Sequence, residues 1–457
     1  MKKIYTALCG TLLIAMLFVG LFSLFDVDAT FSEAENRALK TLPKFSFSAL
    51  LDGSYTSAFS DYYADTFPGR EGLMQTNTTL NGFYNFSALS GENSTQLVVG
   101  FEGNIADHGE ALQADPTTPS DGADGEEEKP KVTEPDTTEP TEPAAAAQQL
   151  GSIILVGNRA MDVPNGNFDI IPRYAQAVTS LATALGDDIR VFSMPVPNSA
   201  EFYSHKEYHT GLHSQKDMIN LLAENLGDNV YYVDSYSILS NHADEYIYFR
   251  TDHHWTALGS YYAYTAFCRE AGFEPAAMTD FTEGQADGFV GSMYTYISGY
   301  PQAAVLKEQP DTVYYYEPPV KTTMLCYEDA TLTEPTQFPI ITYKGQNIGN
   351  KYLIFCAGDY PITIITTDVQ DGPVCLLVKE SYGNAFAPWL TTHYSKIIMV
   401  DPREFNRDGG RPKLDLVSFA QEHGVDDVIV LNYPMAYNSI DFSIYIERLV
   451  GGYEGTP

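Results

Sequence analysis

The chain has 457 residues and a formal charge of −34, from 26 Lys plus Arg against 60 Asp plus Glu, a balance that repels phosphate backbones and argues against nucleic-acid binding. With 44% apolar and 13% aromatic residues it is long enough for more than one folding unit and can bury a core. Five cysteines without a Cys-x-x-Cys pair exclude a disulfide-dense scaffold and argue against a zinc module or a thioredoxin-like redox motif.

At the front, Lys2 and Lys3 precede residues 4–25, a run of 22 without a charge. As a helix it extends about 33 Å, enough to cross a bilayer. Asp26, Asp28, Glu33 and Glu35 follow it. The lysine side therefore stays in the cytoplasm and the body lies outside, as a single-pass membrane protein. Val27-Asp28-Ala29 resembles a cleavage site, so a removable signal over 1–29 and a secreted body form the alternative.

Residues 31–106 read as the N-terminal part of the extracytoplasmic domain. Residues 107–143 then hold twelve acidic residues, two lysines, six prolines and six threonines. Such a segment buries too little surface to offset its ordering entropy, and 107–148 is read as a disordered loop insertion. It contributes 2 − 12 = −10 of the charge, leaving −24 elsewhere. Apolar stretches at 96–100 and 151–157 read as strands on either side.

From 149 to 450 strands and helices alternate, with 451–457 as a tail. Ile171, Tyr174, Val178, Leu181 and Leu185 form one helical stripe closed by Gly186. A strand follows at 189–195. Ser214 caps a helix carrying Met218, Leu221 and Leu222 that ends near Gly227, and 230–233 is another strand. The continuous apolar runs 374–378, 397–400 and 428–431 suit strands buried on both faces of a parallel sheet. The fold class is α/β, with helices layered on a mostly parallel sheet. Residues 290–370, dense in Tyr and Thr, read as a β-rich insertion.

The polar cluster with chemical potential is Tyr248-Phe249-Arg250-Thr251-Asp252-His253-His254-Trp255-Thr256. In an extended segment Asp252 and His254 point the same way, so the carboxylate reaches the imidazole. An Asp-oriented histidine is the base half of a nucleophilic hydrolase or acyltransferase; a histidine pair satisfying a buried loop is the plainer alternative. Ser381 follows the strand 374–378, where a turn into a helix exposes it at the sheet rim and offers N–H groups for an oxyanion. A simple helix cap is the plainer role there.

These residues resemble the DHHW protein family of bacterial cell-surface proteins, named for the tetrapeptide Asp252-His253-His254-Trp255, and more distantly the alginate O-acetyltransferases of the SGNH-hydrolase-like superfamily. Further matches are Glu35-Asn36-Arg37, Asp65-Thr66-Phe67-Pro68-Gly69-Arg70, Val196-Pro197-Asn198, Gly291-Ser292 and residues 379–386. The resemblance implies an SGNH-like three-layer domain and a triad of Asp252 as orienter, His254 as base and Ser381 as nucleophile, with His253 at a variable position. Lys379-Glu380-Ser381-Tyr382 departs from the Gly-x-Ser surroundings of the better-studied members. It also implies an O-acetyltransferase or acyl esterase acting on an extracellular polysaccharide or cell-wall glycan, without a cofactor, with a membrane acyltransferase as a candidate acyl donor. A catalytically silent glycan-binding protein of the same fold is the alternative.

Trp255, Arg403 and Asn384 are candidate substrate contacts, and for Arg403 a surface salt bridge is the plainer role. No metal site is expected. His205, His209 and His213 lack a helix to align them because Thr210-Gly211 intervenes. Asp252, His253 and His254 would point to opposite faces of a strand. Cys268, Cys326, Cys356 and Cys375 permit three disulfide pairings or four buried thiols.

Overall fold

A computed structural model describes residues 145–450 apart from 347 and 407–410, together with residue 143 and short stretches between 31 and 67. The apolar run 4–25, Cys9, the strand expected at 96–100, the acidic residues 107–142, the Asn-x-Ser/Thr sites at Asn77, Asn85 and Asn93, and the tail 451–457 lie outside the described residues. No helix among the described residues is long and apolar enough to cross a membrane.

The chain divides into two compact units, Met1–Ile105 and Ala106–Pro457. In the first, β1 (Phe31–Ser32) pairs antiparallel with β2 (Arg37–Ala38), and a helix spans Ser54–Asp65. That helix carries an aromatic row in which Phe59 stacks on Tyr55 and Tyr63.

The second unit opens with an antiparallel meander, β3 (Ala147–Leu150), β4 (Ile153–Val156) and β5 (Arg159–Asp162). Gly151 and Gly157, expected inside one strand, have φ of +67° and +61° and make the turns on either side of β4. The helix Ile171–Leu185 buries the whole expected stripe, and Gly186 ends it at φ +81°. The Asp217 N–H donates to the Ser214 hydroxyl at 3.1 Å, capping Gln215–Asn225.

The central sheet has eight strands. Its parallel core runs β14 (Lys396–Val400), β13 (Val374–Lys379), β15 (Asp427–Asn432), β6 (Arg190–Pro195) and β7 (Val230–Tyr232). The middle three strands are buried on both faces along nearly their whole length, around the apolar runs 374–378 and 428–431 and the residues Val191, Phe192 and Met194. Three antiparallel strands extend the β14 side: β12 (Ile362–Thr367), β10 (Thr322–Tyr327) and β11 (Thr336–Phe338).

The expected β-rich insertion at 290–370 is therefore not a separate body. Its strands β10 to β12 belong to the main sheet, with Met324, Cys326, Ile362 and Ile365 buried in the main core. Residues Ser292–Ile297 and Ala304–Glu308 are helical. β9 (Asp311–Glu317) pairs instead with β8 (Thr282–Phe289) in a two-stranded ribbon. The four described cysteines are buried free thiols.

Candidate active site

Residues 246–256 fold back on themselves. Tyr248 and Trp255 form an antiparallel bridge, and the Thr256 N–H donates to the Ile247 carbonyl at 2.9 Å. The segment is a closed loop, not the extended segment expected to point Asp252 and His254 the same way. The cause is local: Asp252 Oδ1 accepts the His254 backbone N–H at 2.9 Å, which turns the chain. Thr256 then caps the helix Ala257–Ala271, accepting the Gly259 N–H at 3.1 Å.

This turn brings carboxylate and imidazole together. His254 Nδ1–H donates to Asp252 Oδ1 at 2.6 Å, and His254 Nε2 lies 2.6 Å from Ser381 Oγ. Asp252 and His254 are fully buried, whereas Ser381 is partly exposed. Ser381 arrives there because β13 ends at Lys379 and the helix Tyr382–Leu390 begins directly after it. That strand-to-helix turn sits at the C-terminal edge of the parallel strands, where open α/β sheets place their sites. The Trp255 indole N–H donates to the Tyr382 carbonyl at 3.1 Å, tying the loop to the helix start.

With Nδ1–H given to Asp252, His254 presents the Nε2 lone pair to the serine hydroxyl, the arrangement a general base requires. Burial opposes charge on Asp252. His253, His254 and hydrogen bonds from His254 and Ser292 outweigh it and hold the carboxyl well below its ordinary range. Burial and the neighbouring His254 push His253 down to about 4, so it is neutral at neutral pH.

Three residues of the site are given no role by the sequence alone. Ser292 donates to Asp252 Oδ2 from both its N–H, at 2.8 Å, and its hydroxyl, at 2.6 Å. Its neighbour Gly291 is required by close approach, since a Cβ there would lie 2.6 Å from Asp252 Cβ and 2.3 Å from the Phe289 ring. Tyr352 stacks on His254 and donates its hydroxyl to the Ser381 carbonyl. Glu380 accepts the Tyr382 N–H at 2.9 Å. The Gly291-Ser292 pair and the position of Glu380 beside Ser381 were the only hints available.

Other expectations change. The helix start does not offer a set of free N–H groups: Tyr382 N–H is taken by Glu380, and those of Gly383 and Asn384 by the carbonyls of Glu380 and Ser381. Trp255 and Asn384 face inward, at 0% and 1% exposure, so neither offers a surface to a ligand. Asn384 joins Lys379 and Asp359 instead. Arg403 is held by Asp401 and Asp359, the ion-pair role. His253 and His254 lie side by side, 3.8 Å between ring centroids, because a loop does not alternate faces as a strand does. With Asp252 they could place metal-ligand atoms within 4.8 Å of one another, yet both His254 nitrogens already face Asp252 and Ser381. His205 and His213 sit in separate short turns and bond the Ala145 and Pro164 carbonyls.

A family model described as DHHW protein matches residues 35–98 and 124–400. The chain belongs to the DHHW protein family. No curated protein matches it. Among solved structures, a DHHW family protein from Eubacterium siraeum is 28% identical with a TM-score of 0.58, over 66% of this chain and 97% of that one. PatB1 of Bacillus cereus, whose structure carries a sulfonyl adduct, is 17% identical with a TM-score of 0.51, over 65% of this chain and 98% of that one, and shares the fold. The O-acetyltransferase domain of AlgJ from Pseudomonas putida is 12% identical with a TM-score of 0.37, over 65% and 96% of the two chains.

Proposed function

We propose that this DHHW-family chain is a serine-dependent O-acyltransferase or acyl esterase that acts outside the cytoplasm on a polysaccharide or cell-wall glycan. The observation that carries the reading is the relay from Asp252 through His254 to Ser381, with both contacts at 2.6 Å. His254 Nε2 takes the Ser381 proton as Oγ attacks an ester carbonyl. The Oγ–C bond forms, the bond to the leaving alcohol breaks, and His254 returns the proton to that alcohol. Water or a sugar hydroxyl then resolves the acyl-enzyme by the same path. Asp252 fixes the tautomer and balances the charge that His254 carries in between.

Residues 4–25 anchor the chain, the acidic stretch 107–143 is an insertion, and a membrane acyltransferase is the candidate source of the acyl group. The uncharged run after Lys2 and Lys3 supports the first point, and the composition of 107–143 the second. The test is turnover of a generic acetyl ester by the full chain. Ser381→Ala and His254→Ala abolish it while thermal unfolding is retained. Unchanged turnover in Ser381→Ala removes the serine from the mechanism, and glycan binding without turnover assigns the chain to a silent binding role.

A further inference from the structure

Glu380 stands between Lys379 and the nucleophile and is 2% exposed. Its Oε2 accepts the Tyr382 N–H at 2.9 Å and lies 3.4 Å from Ser381 Oγ. Its Oε1 accepts the Tyr433 N–H at 3.2 Å. Sites that transfer acyl groups commonly hold the oxyanion with the N–H of the residue after the nucleophile. Here that N–H already carries a carboxyl group of the same chain, next to the oxygen that attacks.

We propose that Glu380 is a further catalytic residue, which as the neutral acid donates its Oε2–H in a hydrogen bond to the oxyanion formed beside Ser381. The inference rests on the serine mechanism above. When Oγ bonds to the carbonyl carbon, the carbonyl electron pair moves onto its oxygen and the serine proton passes to His254 Nε2. Glu380 keeps its own proton throughout and shares it with the new oxyanion. On collapse the electron pair returns, the leaving alcohol takes the proton from His254, and Glu380 is unchanged. An ionised Glu380 would set a second negative charge against the oxyanion at hydrogen-bond range, with nothing to share.

The cations near Glu380 are already paired with other carboxylates. Lys379, on the same strand, holds Asp359 at 2.5 Å. Arg403, from the turn after β14, holds Asp359 at 2.9 Å and Asp401 at 2.5 Å. Two cations and two carboxylates thus balance before Glu380 is counted. The phenols Tyr382, Tyr433 from the end of β15 and Tyr174 from the helix Ile171–Leu185 also face it, and the His254 imidazole lies on the other side of the Ser381 hydroxyl. Burial is the largest influence on Glu380. It outweighs the Tyr382 N–H and the attraction of Arg403 and Lys379, and with Asp359 adding to it the carboxyl is pushed up to about 7.

The test is the pH profile of acetyl-ester turnover by the full chain between about pH 5 and 9, with labelling by a sulfonyl fluoride followed in parallel. The wild type loses turnover above about pH 7, approaching tenfold per pH unit. In Glu380→Gln, an isosteric amide that stays neutral, this alkaline loss disappears while circular dichroism is unchanged. A wild type without alkaline loss, or a loss that persists in Glu380→Gln, overturns the inference and leaves the serine mechanism intact, provided Ser381 is labelled. If Glu380→Gln does not fold, Glu380→Asp replaces it: the shorter acid moves the alkaline limb, and an unmoved limb overturns the inference. Absence of both labelling and turnover defeats the serine mechanism, and the role of Glu380 with it.

Discussion

The ring of Tyr352 lies parallel to that of His254, 4.1 Å between centroids and 14° apart. The same phenol donates to the Ser381 carbonyl at 2.8 Å. One buried side chain therefore holds both the imidazole plane and the backbone of the residue the imidazole faces. Tyr352→Phe keeps the stack and loses one hydrogen bond, worth about 1 kcal/mol, so turnover falls about fivefold. Tyr352→Ala also releases the ring, a further ~1 kcal/mol, and kcat falls by a larger factor than in Tyr352→Phe. Steady-state kinetics of the two variants separates the contributions.

Ser292 supplies two of the hydrogen bonds on Asp252. Ser292→Ala removes the hydroxyl and keeps the N–H, so kcat drops by about tenfold, consistent with a charge-assisted hydrogen bond. Asp252→Asn removes the tautomer control itself and costs about 10⁴ on the triad precedent. Equal losses in the two variants would contradict the hierarchy, and kcat in both is the measurement.

Glu201 is buried, accepting the Tyr236 hydroxyl at 2.9 Å and the Gln215 N–H at 3.1 Å. Burial, opposed by these hydrogen bonds, pushes its carboxyl up to about 8 from 4.5. Between those values the unfolded chain releases a proton that the folded chain keeps. Stability from this group is therefore full below pH 4.5 and falls as pH rises to about 8. The slope is at most about 1.4 kcal/mol per pH unit. Glu201→Gln flattens that part of the Tm–pH curve; an unchanged curve shows that Glu201 ionises normally.

Arg403 bridges Asp359 and Asp401, and Asp359 in turn holds Lys379 and Asn384 behind the nucleophile. Burial opposes charge on Asp359, but Lys379 and Arg403 outweigh it and hold the carboxyl well below its ordinary range. Arg403→Gln breaks one side of this network. Because the Arg403 side chain is about one-third exposed, the expected loss is about 1–3 kcal/mol, below that of a fully buried pair. Thermal unfolding reads it. A raised KM at unchanged Tm would instead assign Arg403 to substrate.

Much of this architecture can be read from local pattern. The runs at 374–378, 397–400 and 428–431 are apolar on both faces, which suits the middle of a parallel sheet. The stripe from Ile171 to Leu185 repeats at helical spacing, and all five of its residues are buried. What pattern does not reveal is partnership across long separations. Ser292 meets Asp252 40 residues away, and Tyr352 meets Ser381 29 residues away. Neither contact has a local cause. The loop at 246–256 misleads because the i, i+2 spacing of Asp252 and His254 suits an extended segment, while one Asp accepting a downstream backbone N–H turns the chain. The strands β10 to β12 mislead in another way: their Tyr and Thr content suits β structure and carries no information about which sheet they join.

The most direct test of the account is to treat the full chain with an aromatic sulfonyl fluoride and locate the adduct by peptide mass spectrometry. The geometry at His254 and Ser381 predicts one adduct, on the Ser381 hydroxyl, absent in Ser381→Ala and strongly slowed in His254→Ala. An adduct elsewhere, or equal labelling in wild type and His254→Ala, would contradict activation of that hydroxyl by the buried imidazole.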